Sequence, residues 1–113
     1  MPPLMKPTVL TATIANGASL SDAIDVGVGA VLGFNVPTIT TAVLTFQGSD
    51  DGVTFTNVKD AAGAEVQIGS SAGAMFVSAP AALSAVAFLK IRTGTSGAPV
   101  AQGGQRLVGV VIK

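Results

Sequence analysis

The ionisable side chains of this chain are six carboxylates, four lysines and two arginines; histidine, cysteine, tyrosine and tryptophan are all absent. Without histidine there is no ordinary general base near neutral pH, and without cysteine no thiolate nucleophile or thiolate metal ligand. A Ser-His-Asp triad cannot form within the chain. Asp50 and Asp51 stand side by side, as a hydrolytic or calcium-binding pair would. They precede Gly52, however, and Asp-Gly is ordinary turn chemistry, with the two side chains pointing apart. Asp22 and Asp25 are three apart in an extended stretch, so they leave from opposite faces. Calcium needs about six or more oxygen ligands, and no segment supplies that many acidic ones. These observations predict a protein that is not an enzyme and that carries no cofactor or metal.

Weaker signals for binding remain. Lys90 and Arg92 alternate onto one face of a strand, with Phe88 beside them, and form a candidate patch for an anion, a glycan or a partner. The plainer reading is a solvated face on which long basic stems cover apolar surface. Gly27, Gly29 and Gly33 do not have dinucleotide-binding spacing, and no helix follows them. Residues 93–104 are rich in Gly and Ser. They are read as a flexible surface connection in preference to a phosphate cradle.

The elements that must position these groups read as strands. Residues 8–14 are rich in β-branched side chains and end at Asn16-Gly17, a turn signal. Residues 19–26 alternate, with Leu20, Ile24 and Val26 against Ser19, Ser21 and Asp25. Further runs follow at 30–36 and 42–48. The segment 53–58 then returns from the Asp50-Asp51-Gly52 turn, predicting a hairpin in which Phe46 and Phe55 are both buried. Short strands are expected at 65–68 and 74–78, a loop or single helical turn at 80–84, a strong strand at 85–92 and a closing strand at 106–112. In the last of these Val108, Val110 and Ile112 oppose Leu107, Gly109 and Val111. No sustained helical period appears. Eight or nine short strands predict an all-β fold, an antiparallel β-sandwich of jelly-roll or Greek-key type.

Composition sets further bounds. Of the 113 residues, 49% are apolar and 11% charged, with net charge zero. The length suits one domain. The charge balance argues against nucleic-acid binding, which needs clustered Lys and Arg. A neutral, charge-poor surface protects poorly against association, so a homo-oligomer is expected. No apolar run reaches the roughly 18 residues of a membrane span, and residues 1–7 lack a signal-peptide core. That segment holds three prolines and is expected to be an extended arm ahead of a single domain over residues 8–113. Its Leu4 and Met5 are candidate partner-binding residues alongside Lys90 and Arg92.

Three stretches together resemble small β-sandwich structural proteins of tailed bacteriophages. They are Ala15-Asn16-Gly17-Ala18-Ser19-Leu20-Ser21-Asp22-Ala23-Ile24-Asp25-Val26-Gly27; Leu44-Thr45-Phe46-Gln47-Gly48-Ser49-Asp50-Asp51-Gly52-Val53-Thr54-Phe55; and Phe88-Leu89-Lys90-Ile91-Arg92-Thr93-Gly94-Thr95 with Pro99-Val100 and Arg106-Leu107. The second is also loosely similar to discoidin-like sugar-binding sandwiches. The resemblance implies a virion part assembled in the host cytoplasm: a capsid decoration (cement) protein, a head-spike base or a tail component. It further implies contact with the major capsid protein or other virion proteins, and favours a trimer. It carries over no site residues. A carbohydrate-binding or adhesion module of a tail or head spike is the alternative.

Overall fold

The computed structural model describes residues 8–27, 29–71 and 73–113, with the main chain alone at Ser70 and Ser71. The expected arm with Leu4 and Met5 lies outside the described residues. Among the described residues nine strands follow in order: β1 (Thr8–Ile14), β2 (Ile24–Asp25), β3 (Val31–Val36), β4 (Ala42–Ser49), β5 (Thr56–Asn57), β6 (Gln67–Ser71), β7 (Met75–Ser78), β8 (Phe88–Thr93) and β9 (Arg106–Ile112). A 3-10 turn over Ala81–Ala85 links β7 to β8. No helix among the described residues is long and apolar enough to cross a membrane.

The strands form two antiparallel sheets. The first has the order β1-β9-β3-β7; the second runs β2-β8-β4, with β5 and β6 both on the far side of β4. Consecutive strands lie in opposite sheets except for β4, β5 and β6, so the chain winds back and forth across the core. This is the strand order of a jelly roll, one of the two connectivities expected from the sequence.

Alternation explains the layering. Ala12 and Ile14 of β1, Phe34 and Val36 of β3, Leu44 and Phe46 of β4, Leu89 and Ile91 of β8, and Val108 and Val110 of β9 are all buried. Side chains two apart share a sheet face, so each strand contributes one row to the core. Phe34 and Phe46 reach across from opposite sheets and stack, with centroids 5.3 Å apart and planes 20° from parallel. Leu83 of the 3-10 turn is fully buried and joins the same core.

Two expected strands are shorter than the sequence pattern indicated. Within 19–26 only Ile24 and Asp25 form a ladder, with β8. Ser21 is buried. Its Oγ accepts a bond from the Ile91 N–H at 2.9 Å and donates one to the Asp22 carbonyl at 2.8 Å. The hairpin from β4 to β5 is present, with Gln47 opposite Asn57 and Gly48 opposite Thr56. Its return strand is confined to residues 56 and 57, however. Phe46 is buried as expected, but Phe55 is half-buried on the outer side and Val53 is 82% exposed. The cause is Asp51. One carboxylate oxygen accepts from the N–H groups of Val53 and Thr54 at 2.8 and 3.0 Å, which holds the main chain in a loop instead of a ladder.

Candidate functional site

Lys90 and Arg92 do share the outer face of β8, but neighbouring loops occupy them. Arg92 is buried. Its Nε donates to Thr45 Oγ1 at 3.0 Å, and its Nη2 to Asn57 Oδ1 at 3.0 Å and Glu65 Oε2 at 3.2 Å. The segment carrying Asn57 and Glu65 folds over the β4–β8 face, held by a bridge between Lys59 and Glu65. Burial pushes the Glu65 carboxyl up, but bonds from Ser96 and the charges of Arg92 and Lys59 outweigh it, leaving the group below its ordinary value. The guanidinium is thus neutralised from within. The Lys90 ammonium lies 4.4 Å from the centroid of the Phe55 ring, a cation–π arrangement.

Most of the acidic residues are engaged as well. Asp22 Oδ1 accepts from the Thr13 N–H and Asp25 Oδ1 from the Gly27 N–H, both at 2.8 Å. The Asp51 carboxyl is held below its ordinary value by the Thr54 and Val53 N–H groups and then by Ser49. Among the described residues no three or more His, Cys, Asp or Glu converge as a metal cluster. A cleft of about 390 Å³ and mixed polar and apolar lining lies between this loop and the end of the 3-10 turn, bordered by Asp50, Thr54, Thr56, Asn57, Lys59 and Val86 among others.

The connection over residues 93–104 is bound to the sandwich, contrary to the flexible loop its composition suggested. Gly94 has φ +94° and donates its N–H to the Val43 carbonyl at 2.7 Å, while its own carbonyl accepts from Thr45 Oγ1 at 2.7 Å. Gln102 is buried, and its Oε1 accepts from the Thr40 N–H at 2.8 Å. Its main chain exchanges bonds with Gly17 and Ala18. Gly and Ser signalled a loop, and the bonding of Gln102 was invisible in composition.

A feature that sequence reasoning missed lies on the opposite side of the molecule. The outer face of the β1-β9-β3-β7 sheet presents Val9, Thr11 and Thr13 from β1, Leu107, Gly109 and Val111 from β9, Asn35 from β3, and Phe76 and Ser78 from β7. None is charged. Val9 is 59%, Leu107 54% and Phe76 77% exposed, and Leu32, at the bulge in β3, is 44% exposed. Among the described residues, four of the five large apolar side chains that face solvent therefore gather on one sheet. A shallow depression of about 330 Å³ lies among Leu32, Phe76 and Val111. The signal was present in β9, where both alternating sets are apolar: a strand that buries only one face has no need of Leu107 and Val111 on the other. Comparison of the chain with protein-family models, with curated proteins and with solved structures finds no match, so these surfaces must be read from their own chemistry.

Proposed function

We propose that this chain is a non-enzymatic structural protein of a tailed-phage virion, a decoration protein that docks on the outer surface of the head. The observation that carries this reading is the uncharged apolar face of the β1-β9-β3-β7 sheet, with Phe76, Leu107, Val9 and Leu32 exposed. Apolar patches of this kind mark contact surfaces. A face without charge can meet a flat partner at many equivalent positions without desolvating ions. Jelly rolls recur in viral capsids, but also in lectins and cupins, so the fold itself does not choose among functions. The phage resemblance of the three stretches gives the direction, with the major capsid protein as the partner.

The test is occupancy. Purified protein is added to capsids assembled without it, and the bound copies per particle are counted by quantitative gel and cryo-microscopy. Phe76→Lys is expected to lower occupancy strongly while leaving the fold intact. Failure of the wild-type protein to bind any capsid or tail surface overturns the reading.

The alternative, an adhesion module, is favoured by the cleft at Asp50, Thr54, Thr56 and Lys59, whose hydroxyl, carboxylate and ammonium groups suit a sugar. Saturable amide-shift changes at Thr54 and Thr56 on titration with methyl glycosides would support it. Lys90 and Arg92, tied to Phe55 and Glu65, are poor candidates for that site.

A further inference from the structure

The outer edge of β1 is closed at one end and open at the other. At Thr13 the edge is occupied: the Asp22 N–H donates to the Thr13 carbonyl at 3.1 Å, and the Thr13 N–H donates to Asp22 Oδ1 at 2.8 Å. The main-chain groups of Thr13 therefore point away from β9. The far end of β9 gives the same parity independently. Lys113 exchanges both main-chain bonds with Ala30, at 3.0 and 3.1 Å, so odd-numbered residues there face β3 and even-numbered ones face β1. Main-chain direction repeats every second residue in an antiparallel ladder. With Leu10 opposite Val110 and Ala12 opposite Val108, Leu10 and Ala12 bond to β9, and Val9 and Thr11 turn their N–H and C=O groups outward.

This open edge lacks the usual safeguards. Edge strands are ordinarily blunted by charge, proline, bulges or short length. β1 runs seven residues, Thr-Val-Leu-Thr-Ala-Thr-Ile, with no charge, no proline and an unbroken register to β9. The other free edge of that sheet, β7, has four residues. Val9 and Thr11 are exposed, and Leu10, though it points inward, is only half-buried.

We infer that β1 pairs with β1 of a second copy, antiparallel, about a two-fold axis at Leu10. Val9 then faces Thr11 of the second copy and Thr11 faces its Val9, and each pairing exchanges both main-chain bonds. The two Leu10 side chains meet as a close pair and cover each other. The register also accounts for where the ladder stops. The next outward position past Thr11 is Thr13, already bonded to Asp22. The two sheets join into one, and their uncharged outer faces become continuous. This favours a two-fold pair over the trimer expected from the sequence. It stands apart from the virion reading, because the edge would pair whatever the face binds.

Sedimentation and amide hydrogen exchange of the full chain over a concentration series test the inference. The wild type is expected to pass from monomer to dimer. Val9 and Thr11 amides should gain protection as it does so, while Thr13, bonded to Asp22, stays protected throughout. Thr11→Pro removes an N–H that no described strand of its own chain uses, so it should keep the fold and raise the dimer dissociation constant about tenfold or more. If Thr11→Pro does not fold, Val9→Lys, which puts a charge on the edge, decides by the same measure. A wild type that remains monomeric to millimolar concentration overturns the inference. So does a folded Thr11→Pro, or failing that a Val9→Lys, that dimerises as tightly as the wild type.

Discussion

Arg92 illustrates how a charged side chain can look like a ligand-binding group in sequence and serve its own fold in structure. Alternation places it on the outer face of β8, and Asn57, Glu65 and Thr45 then enclose it. Removing one member of a buried ion pair leaves the other uncompensated. Arg92→Met is expected to cost about 3 kcal/mol in urea unfolding. Glu65 sets a pH dependence whose sign follows from its lowered carboxyl. The folded form holds its proton less tightly than the unfolded one, whose value is near 4.5. The pair's contribution is therefore fully present above that value and is lost as pH falls through the lower folded value. Glu65→Gln should flatten the stability curve below about pH 4.5, leaving the remaining acid dependence to groups such as Asp51. Unfolding midpoints of both proteins at pH 7, 4 and 3 check this. An unchanged slope would place the acid sensitivity elsewhere.

At the scale of elements, the strands that read clearly were those whose alternation matches a full ladder. β4, β8 and β9 place Leu44 and Phe46, Leu89 and Ile91, and Val108 and Val110 inward as their period requires. Where reading failed, a side chain had intercepted the main chain. Asp51 draws the residues before β5 into a loop, and in 19–26 the Ser21 hydroxyl takes the Ile91 N–H where a longer strand was expected. Such a bond lies between a particular side-chain oxygen and a particular N–H, and a hydrophobic period cannot register it. The candidate surfaces were less legible still. Exposure of the face around Phe76 depends on which sheet covers which, and that is set by strand order. Two substitutions probe the elements directly. Phe46→Ala should cost about 3–5 kcal/mol, since the ring is fully buried and stacks on Phe34. Gly94→Ala should cost about 2 kcal/mol or more. It would hold an alanine at φ +94° and bring its Cβ within 2.5 Å of the Ala98 carbonyl oxygen. Denaturant midpoints measure both, and a loss under about 1 kcal/mol at Gly94 would mean that the 93–104 connection can shift without disturbing the sandwich.

For the whole molecule, the uncharged sheet face separates stability from assembly. Phe76→Lys alters a side chain that is mostly in water, so it should change unfolding free energy by no more than about 0.5 kcal/mol while it lowers occupancy on a particle. A large loss of stability would reassign Phe76 to the fold. The jelly-roll order has a further consequence, for the time the chain takes to fold. Because β1 pairs with β9, with Thr8 opposite Ile112, that edge pairing of the first sheet cannot form until residues far apart in the chain have been brought together. Closing so long a loop precedes any reward from the contacts it makes, and topologies of this kind fold slowly. The same neighbourhood of residues 8 and 112 offers a way to shorten the search. A circular permutant that joins residue 113 to residue 8 through a short glycine linker, and opens the exposed turn at Ala61-Ala62-Gly63, turns β9 and β1 into an ordinary hairpin. It should reach the same sandwich in stopped-flow refolding at a visibly higher rate, with the gain confined to the folding limb of the chevron if that pairing is already made at the barrier.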